Sequence, residues 1–349
     1  MHRRFLLIAL CCGLIVTTSA CGNYTIDDAQ TPVSSEAAAD PFDEMDAAFQ
    51  SMGGALSHGE ADPNRAGDGS VLPFDYEGGE FTLDYTFRSE GNLGEVGFFL
   101  FLDGVPQTYK VDSADGEAEY CHTFAADGET QQDFSILFTP SFGASGETHT
   151  LTVVSITNPN FKPDMDESSS YGWYHQILPR QLELDFNADA PDSPASPGAE
   201  GPVSFASLSE EKVTASFLET ELAENGWGDV TLDTLDDNVY YTISYDGKML
   251  YDNLDISGKD TVKVRFTLCG TAGKTYGVSL FADHQPVPCS GAISYPVTLT
   301  KGTVAVIEAT IDASRLSDFT TFYMMAVPYG ESSDTFTYKT SSILLYKEG

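Results

Sequence analysis

Basic residues are scarce in this 349-residue chain: 17 Lys and Arg stand against 53 Asp and Glu, a formal charge of −36. Such a balance repels phosphate backbones and anionic headgroups, so nucleic-acid binding is excluded. Its ordinary role is solvation, and it can also draw divalent cations or a basic partner. Sustained helical periodicity is missing as well. That excludes the alternating strand–helix, two-lobed architecture expected of a transporter's substrate-binding subunit. There is no G-x-S-x-G elbow, no H-E-x-x-H pair and no phosphate-cradling glycine loop. No histidine stands at zinc-site spacing from a cysteine. The neighbours Cys121 and His122 point to opposite faces of a strand, a poor thiolate–imidazole arrangement. These absences argue against an enzyme. They leave glycoside hydrolysis open, whose carboxylate pairs form in space rather than in sequence.

No apolar run reaches the ~20 residues of a membrane span. The longest uncharged one, Phe5 to Val16, follows Arg3 and Arg4 and leads through Thr18-Ser19-Ala20 into Cys21. That is the layout of a secretory signal peptide with a small-residue cleavage site. With a cysteine directly after the small residues, it resembles a bacterial lipoprotein precursor, although Thr18 stands where Leu is usual. The resemblance implies cleavage before Cys21, diacylglycerol on its sulfur and tethering to the outer side of the cell membrane. Removing residues 1–20 takes Arg3, Arg4 and no acid, so the formal charge moves from −36 to −38. Cys11 and Cys12 leave with the signal. Cys121, Cys269 and Cys289 remain, and a Cys269–Cys289 bridge is one arrangement open to them outside the cytoplasm.

Residues 21–70 are poor in aromatics and rich in Ala, Asp, Glu, Ser and Gly, a composition that cannot offset its ordering entropy. They are expected to form an acidic tether. From residue 71 short period-two strands take over: Phe81, Leu83, Tyr85 and Phe87 alternate with polar residues. Gly97 to Leu102 is apolar on both faces, as in a central strand of a covered sheet. Asp189 to Pro202 is Pro-rich and reads as a linker. Beyond it, Ser207 to Glu210 has capping-box spacing ahead of Val213, Phe217, Leu218 and Leu222, which leans towards a short helix. Val239 to Tyr251, with Asp246-Gly247 at its centre, reads as a hairpin.

One pattern occurs twice. Gly97, Leu100, Phe101, Asp103 and Pro106 share their spacing with Gly277, Leu280, Phe281, Asp283 and Pro286, both written G-x-x-L-F-x-D-x-x-P. With alternating strands upstream of each copy, this predicts an all-β chain of two related β-sandwich domains, Ig-like or jelly-roll-like, over residues 71–188 and 203–349, joined by linker 189–202. The repeated Asp is expected to be a turn residue bonding nearby amides, and Asp283-His284 to be structural.

Candidate sites follow from residue type. Tyr171, Trp173 and Tyr174, ahead of His175, could stack on a sugar or pack the sandwich core. The hairpin tyrosines Tyr240, Tyr241, Tyr245 and Tyr251 split between two faces. Asp112 with Asp115, and Asp164 with Asp166, are candidate calcium loops, though neither has the helix–loop–helix pattern; no other cofactor is expected. Together these features predict a lipid-anchored, cell-surface protein that binds an extracellular protein or polysaccharide, with an extracytoplasmic hydrolase acting on wall or glycan substrates as the alternative.

Overall fold

The computed structural model describes residues 53–69, 71–162, 174–191, 201–288, 291–330 and 336–347. The first sandwich contains β1 (Gly54–Glu60), β2 (Phe74–Tyr76), β3 (Phe81–Leu102), β4 (Val105–Gln107), β5 (Lys110–Val111), β6 (Cys121–Asp127), β7 (Thr130–Phe138), β8 (Thr148–Thr157) and β9 (Ile177–Phe186). Strand β3 serves both of its sheets. Its first half pairs with β1 and β7, its second with β4, β6 and β8. The alternation of the first half sends Leu83, Tyr85 and Phe87 into the core and leaves Asp84 and Arg88 in water.

The passage from one sheet to the other turns on Gly91, at φ +88°. A Cβ there would stand 2.6 Å from the carbonyl oxygen of Gly53, which instead accepts the Asn92 amide at 3.0 Å. Only glycine meets both demands.

The second sandwich opens with β10 (Val203–Lys212) and a short helical stretch that begins as α1 (Ala215–Phe217) and runs on through residues 218–225. Then come β11 (Val239–Tyr245), β12 (Lys248–Met249), β13 (Asn253–Asp255), β14 (Thr261–Gly270), β15 (Thr275–Ala282), β16 (Gln285–Pro286), β17 (Tyr295–Thr298), β18 (Thr303–Asp312), β19 (Phe319–Pro328), β20 (Tyr338–Lys339) and β21 (Ile343–Tyr346). Its sheets run β10-β18-β14-β11-β12 and β13-β21-β19-β15-β16.

One sheet of the second copy follows the first. The order β2-β9-β8-β3 recurs as β13-β21-β19-β15, and in each the outermost pair is the parallel one. Gly270, at φ +120° beneath the carbonyl of Asn238, answers to Gly91, but here the chain breaks between β14 and β15 instead of running through. The repeated aspartate does the same work twice. Asp103 accepts the Thr150 amide and donates its own amide to the Thr150 carbonyl; Asp283 does so with Thr321. In both copies the carboxylate therefore ties a hairpin turn to the neighbouring strand.

Two expectations need correction. The tether expected over residues 21–70 is cut short, because Gly54–Glu60 is strand β1, paired along β3. Its only apolar side chain with reach is Leu56, so period two was invisible; His58 and Glu60 hold it by bonding Tyr85, the Leu178 carbonyl and Arg180. The capping-box residues Ser207 to Glu210 belong to strand β10, paired with β18. The helical stretch starts later, capped by the Thr214 hydroxyl, which accepts the Phe217 amide at 3.1 Å. The hairpin β11–β12 is as expected, with positive φ at both Asp246 and Gly247. Within the linker, Asp189 and Ala190 still bond to residues 143–145, and Pro202 bonds to Asp312; residues 192–200 lie outside the described residues. No described helix is long and apolar enough to cross a membrane.

Each sandwich has its own core, and a further apolar cluster joins the two. Phe99, Phe101, Val154 and Ile156 on the outer face of β3 and β8 meet Phe281, Tyr323, Met325 and Val327 on β15 and β19. Phe281 stands edge-on to Phe99 at 5.4 Å and stacks on Tyr323 at 5.2 Å. At the rim the backbones of Gly104 and Gly277 touch, and a Cβ on Gly277 would lie 2.3 Å from the Gly104 oxygen. Gly277→Ala is therefore expected to force the sandwiches apart, costing about 1–3 kcal/mol. Gly59→Ala, with open space around it, should be silent. Calorimetric unfolding of the two variants checks this, with a lowered, split transition expected only for Gly277→Ala.

Candidate functional site

Next to this junction lies a group of bases with little to neutralise them. Lys339 pairs with Met325 across β20 and β19, and the register turns its side chain inwards. Its ammonium donates to the Thr340 carbonyl at 3.0 Å and the Ser342 hydroxyl at 2.8 Å, and lies 4.6 Å from the centre of the Tyr323 ring. Among the described residues no carboxylate forms an ion pair with it. Burial brings its pKa down from the ordinary lysine value to about 7.

His284 occupies the place of Gly104 in the repeat and keeps the left-handed backbone, φ +63°, that glycine would adopt freely. Its side chain explains the exception. It crosses to the first sandwich, where Nε2 donates to the Pro159 carbonyl at 2.5 Å, while Nδ1 accepts from the Tyr323 hydroxyl at 2.9 Å. A carbonyl can only accept, so this tautomer is the one a neutral ring requires. Burial lowers its pKa to about 4. His175 stands 5.6 Å away, ring centre to ring centre; burial first, then the charge of Lys339, brings it down to about 2. Beside them Asp283 receives Lys162 at 3.2 Å, a contact between the two sandwiches at the protein surface.

Lys339 also lines a recess of ≈ 240 Å³, open on one side, with His175, Gln176, Ile177, Tyr241, Thr337, Thr340 and Ser341. Both sandwiches contribute, and among the described residues none that lines it is acidic. Thr337 is buried there, and its hydroxyl has no hydrogen-bond partner among the described residues. Tyr241 forms the aromatic wall, held between Trp227 at 5.3 Å and Tyr338 at 5.5 Å. A second hollow of ≈ 290 Å³ lies over β14 and β18, but its Arg265 is already paired with Glu211 and Glu221.

The residues singled out in the sequence fare differently. Cys21, Tyr171, Trp173, Asp164, Asp166 and Cys289 lie outside the described residues. Tyr174 is half-buried against Phe161, ring centres 4.4 Å apart, and its carbonyl accepts the Thr157 hydroxyl. Asp112, at φ +59°, spends its carboxylate on the Ser135 amide at 2.8 Å, and the Asp115 amide bonds Ser113. Among the described residues no three His, Cys, Asp or Glu side chains are grouped to hold a metal ion. Cys269 is a free thiol, buried beneath the helical stretch and pushed up to about 12 by that burial. Cys121 is free as well, its thiol raised by burial and by Glu119. The junction joins two aromatic groups that sequence kept apart: His175, from the first, and Tyr241, from the hairpin. Lys339 and Thr337 carried no sequence signal, since nothing in Thr-Tyr-Lys-Thr distinguishes a buried lysine from a solvated one.

No protein-family model matches the chain, and no curated protein is similar to it. Solved structures that resemble it include a protein of unknown function from Porphyromonas gingivalis W83, at 8% identity over 83% of this chain and 99% of that one, with a TM-score of 0.20. Others are the Salmonella enterica SafA pilin in complex with the SafB chaperone (9%, 81% and 95%, 0.24) and the Ig1-2 module of the Drosophila receptor protein tyrosine phosphatase DLAR (11%, 85% and 99%, 0.21). Similarity at this level carries no functional argument. The β-sandwich assignment rests on the strand ladders themselves.

Two of these bases, Lys339 and His284, make stability depend on pH in separate windows. Lys339 titrates near 7 when folded and near 10.5 when unfolded, so its burial penalty is complete below about pH 7 and gone above pH 10.5. Lys339→Met should therefore stabilise the protein at pH 7, by up to roughly 4 kcal/mol, and the gain over the wild type should vanish as pH approaches 10.5. His284 is neutral in both states above pH 6.5. Below that only the unfolded chain takes a proton, so stability is lost as pH falls towards 4. Relative to His284→Asn, the wild type should lose about 3 kcal/mol between pH 6.5 and 4. Urea unfolding of the two variants and the wild type across both windows measures each effect.

Proposed function

We propose that the chain is a lipid-anchored binding protein of the cell surface, recognising an extracellular protein or polysaccharide through its paired β-sandwiches. The observation that carries the reading is the junction recess. A buried lysine unpaired by any described carboxylate destabilises the fold at neutral pH, and groups of this kind concentrate where a ligand or reaction repays them. The setting is that of a binding site: a hollow between two modules, with an aromatic wall and several hydroxyl and amide groups. Support for the surface location comes from Arg3, Arg4, the apolar run and Cys21.

Two measurements test this. On detergent phase separation the wild type should enter the detergent phase and Cys21→Ser the aqueous phase; equal partitioning of the two would overturn the anchor. The full chain, extracted in detergent, is then applied to arrays of extracellular glycans and to immobilised surface proteins. Reproducible binding that leaves the ligand chemically unchanged is expected. Silence on every surface, or release of cleaved products, would overturn the reading.

A further inference from the structure

We propose that the junction recess is a subsite for a sugar bearing a carboxylate, such as a terminal uronic acid of an acidic polysaccharide. The inference rests on the binding-protein reading above and names its ligand class. Four features of the recess point the same way.

First, Lys339 supplies three N–H donors, and protein oxygens take two of them, the Thr340 carbonyl and the Ser342 hydroxyl. What remains faces the Tyr323 ring, a weaker acceptor than a carboxylate. Second, the Thr337 hydroxyl is buried at the recess with no partner among the described residues, a cost that a ligand hydroxyl or carboxylate would relieve. Third, Tyr241 offers an aromatic surface, while Gln176 and Ser341 bring an amide and a hydroxyl suited to sugar hydroxyls. Fourth, the volume, ≈ 240 Å³, is below the roughly 300–1,000 Å³ of sites for drug-sized molecules. It suits one sugar ring at the end of a chain rather than a folded partner. Among the described lining residues there is no Asp or Glu, so none of them repels an incoming carboxylate at close range.

A carboxylate beside Lys339 would favour its charged form. The remaining bases of the cluster, His175 and His284, are buried and neutral at pH 7, and burial keeps Tyr241 and Tyr338 protonated there; Lys162 and Asp283 pair with each other further out. Binding near pH 7.5 should therefore draw a proton onto Lys339 itself.

Isothermal titration of the full chain in detergent, with glucuronic and galacturonic acids, glucose, galactose and acetate, tests this. Both uronic acids are expected to bind at least ten-fold more tightly than the neutral sugars and more tightly than acetate. Their heats should depend on the buffer's ionisation enthalpy in the sense of proton uptake. Lys339→Met should remove both the preference and the uptake, and Thr337→Val should weaken uronate binding several-fold. Tyr241→Leu, at a partly exposed position, provides a second variant should Lys339→Met not fold, and is expected to lose binding of the uronates. Equal affinity for neutral sugars, acetate binding as tight as the uronates, no binding of the uronates, or uronate binding unchanged in the variants would each overturn the inference. Array binding that survives Lys339→Met would do so while leaving the broader binding reading intact.

Discussion

Everything in this molecule depends on covering one apolar face twice. The outer surfaces of β3 with β8 and of β15 with β19 carry Phe99, Phe101, Phe281, Tyr323 and Met325, which a lone sandwich would expose to water. Each fully buried side chain of this size is worth about 1.5–3 kcal/mol, so the faces are stable only against each other. Because the two copies share strand order, they bring equivalent strands to the junction, and the Phe101–Phe281 pair of the repeat meets across it at 6.3 Å. Close packing then demands the bare backbones of Gly104 and Gly277 at the rim.

The junction also explains where the costly groups are. A surface lysine keeps its charge in water, and a histidine at a left-handed turn position gives way readily to glycine or asparagine. Here the docking of one sandwich on the other buries Lys339 and recruits His284 to bridge them through Pro159 and Tyr323. The two copies have diverged at this point: Gly104 serves backbone contact in the first, while His284 serves a side-chain contact in the second. The recess is a by-product of that docking, since neither sandwich alone supplies both His175 and Lys339.

Among the acids the division of labour is plainer. Asp103, Asp283 and Asp112 each hold an amide of an adjacent strand, and Asp312 and Asp255 cap turns through Ser314 and Ser257. Each of these carboxylates accepts a backbone amide, and Asp103 and Asp283 also meet His149 and Lys162. Much of the remaining negative charge sits on exposed positions, where it keeps the surface hydrated.

From sequence alone came the all-β class, the duplication, the alternation of β3, the β11–β12 hairpin and the backbone role of the repeated aspartate. Each rests on local periodicity or turn chemistry, which a few neighbouring residues encode. Strand β1 escaped because it is too polar to alternate, and its place is set by pairing with β3 rather than by its own pattern. The capping-box spacing at Ser207 misled because the β18 edge claimed that segment as a strand. The double apolar face of Gly97 to Leu102 announced a cover but not its identity. That the cover is the second sandwich, and that His175, Tyr241, Thr337 and Lys339 meet beside it, was decided by tertiary structure alone. Burial, and the pKa shifts and unmet hydrogen bonds it creates, comes from which surfaces dock, and no run of neighbouring residues records that.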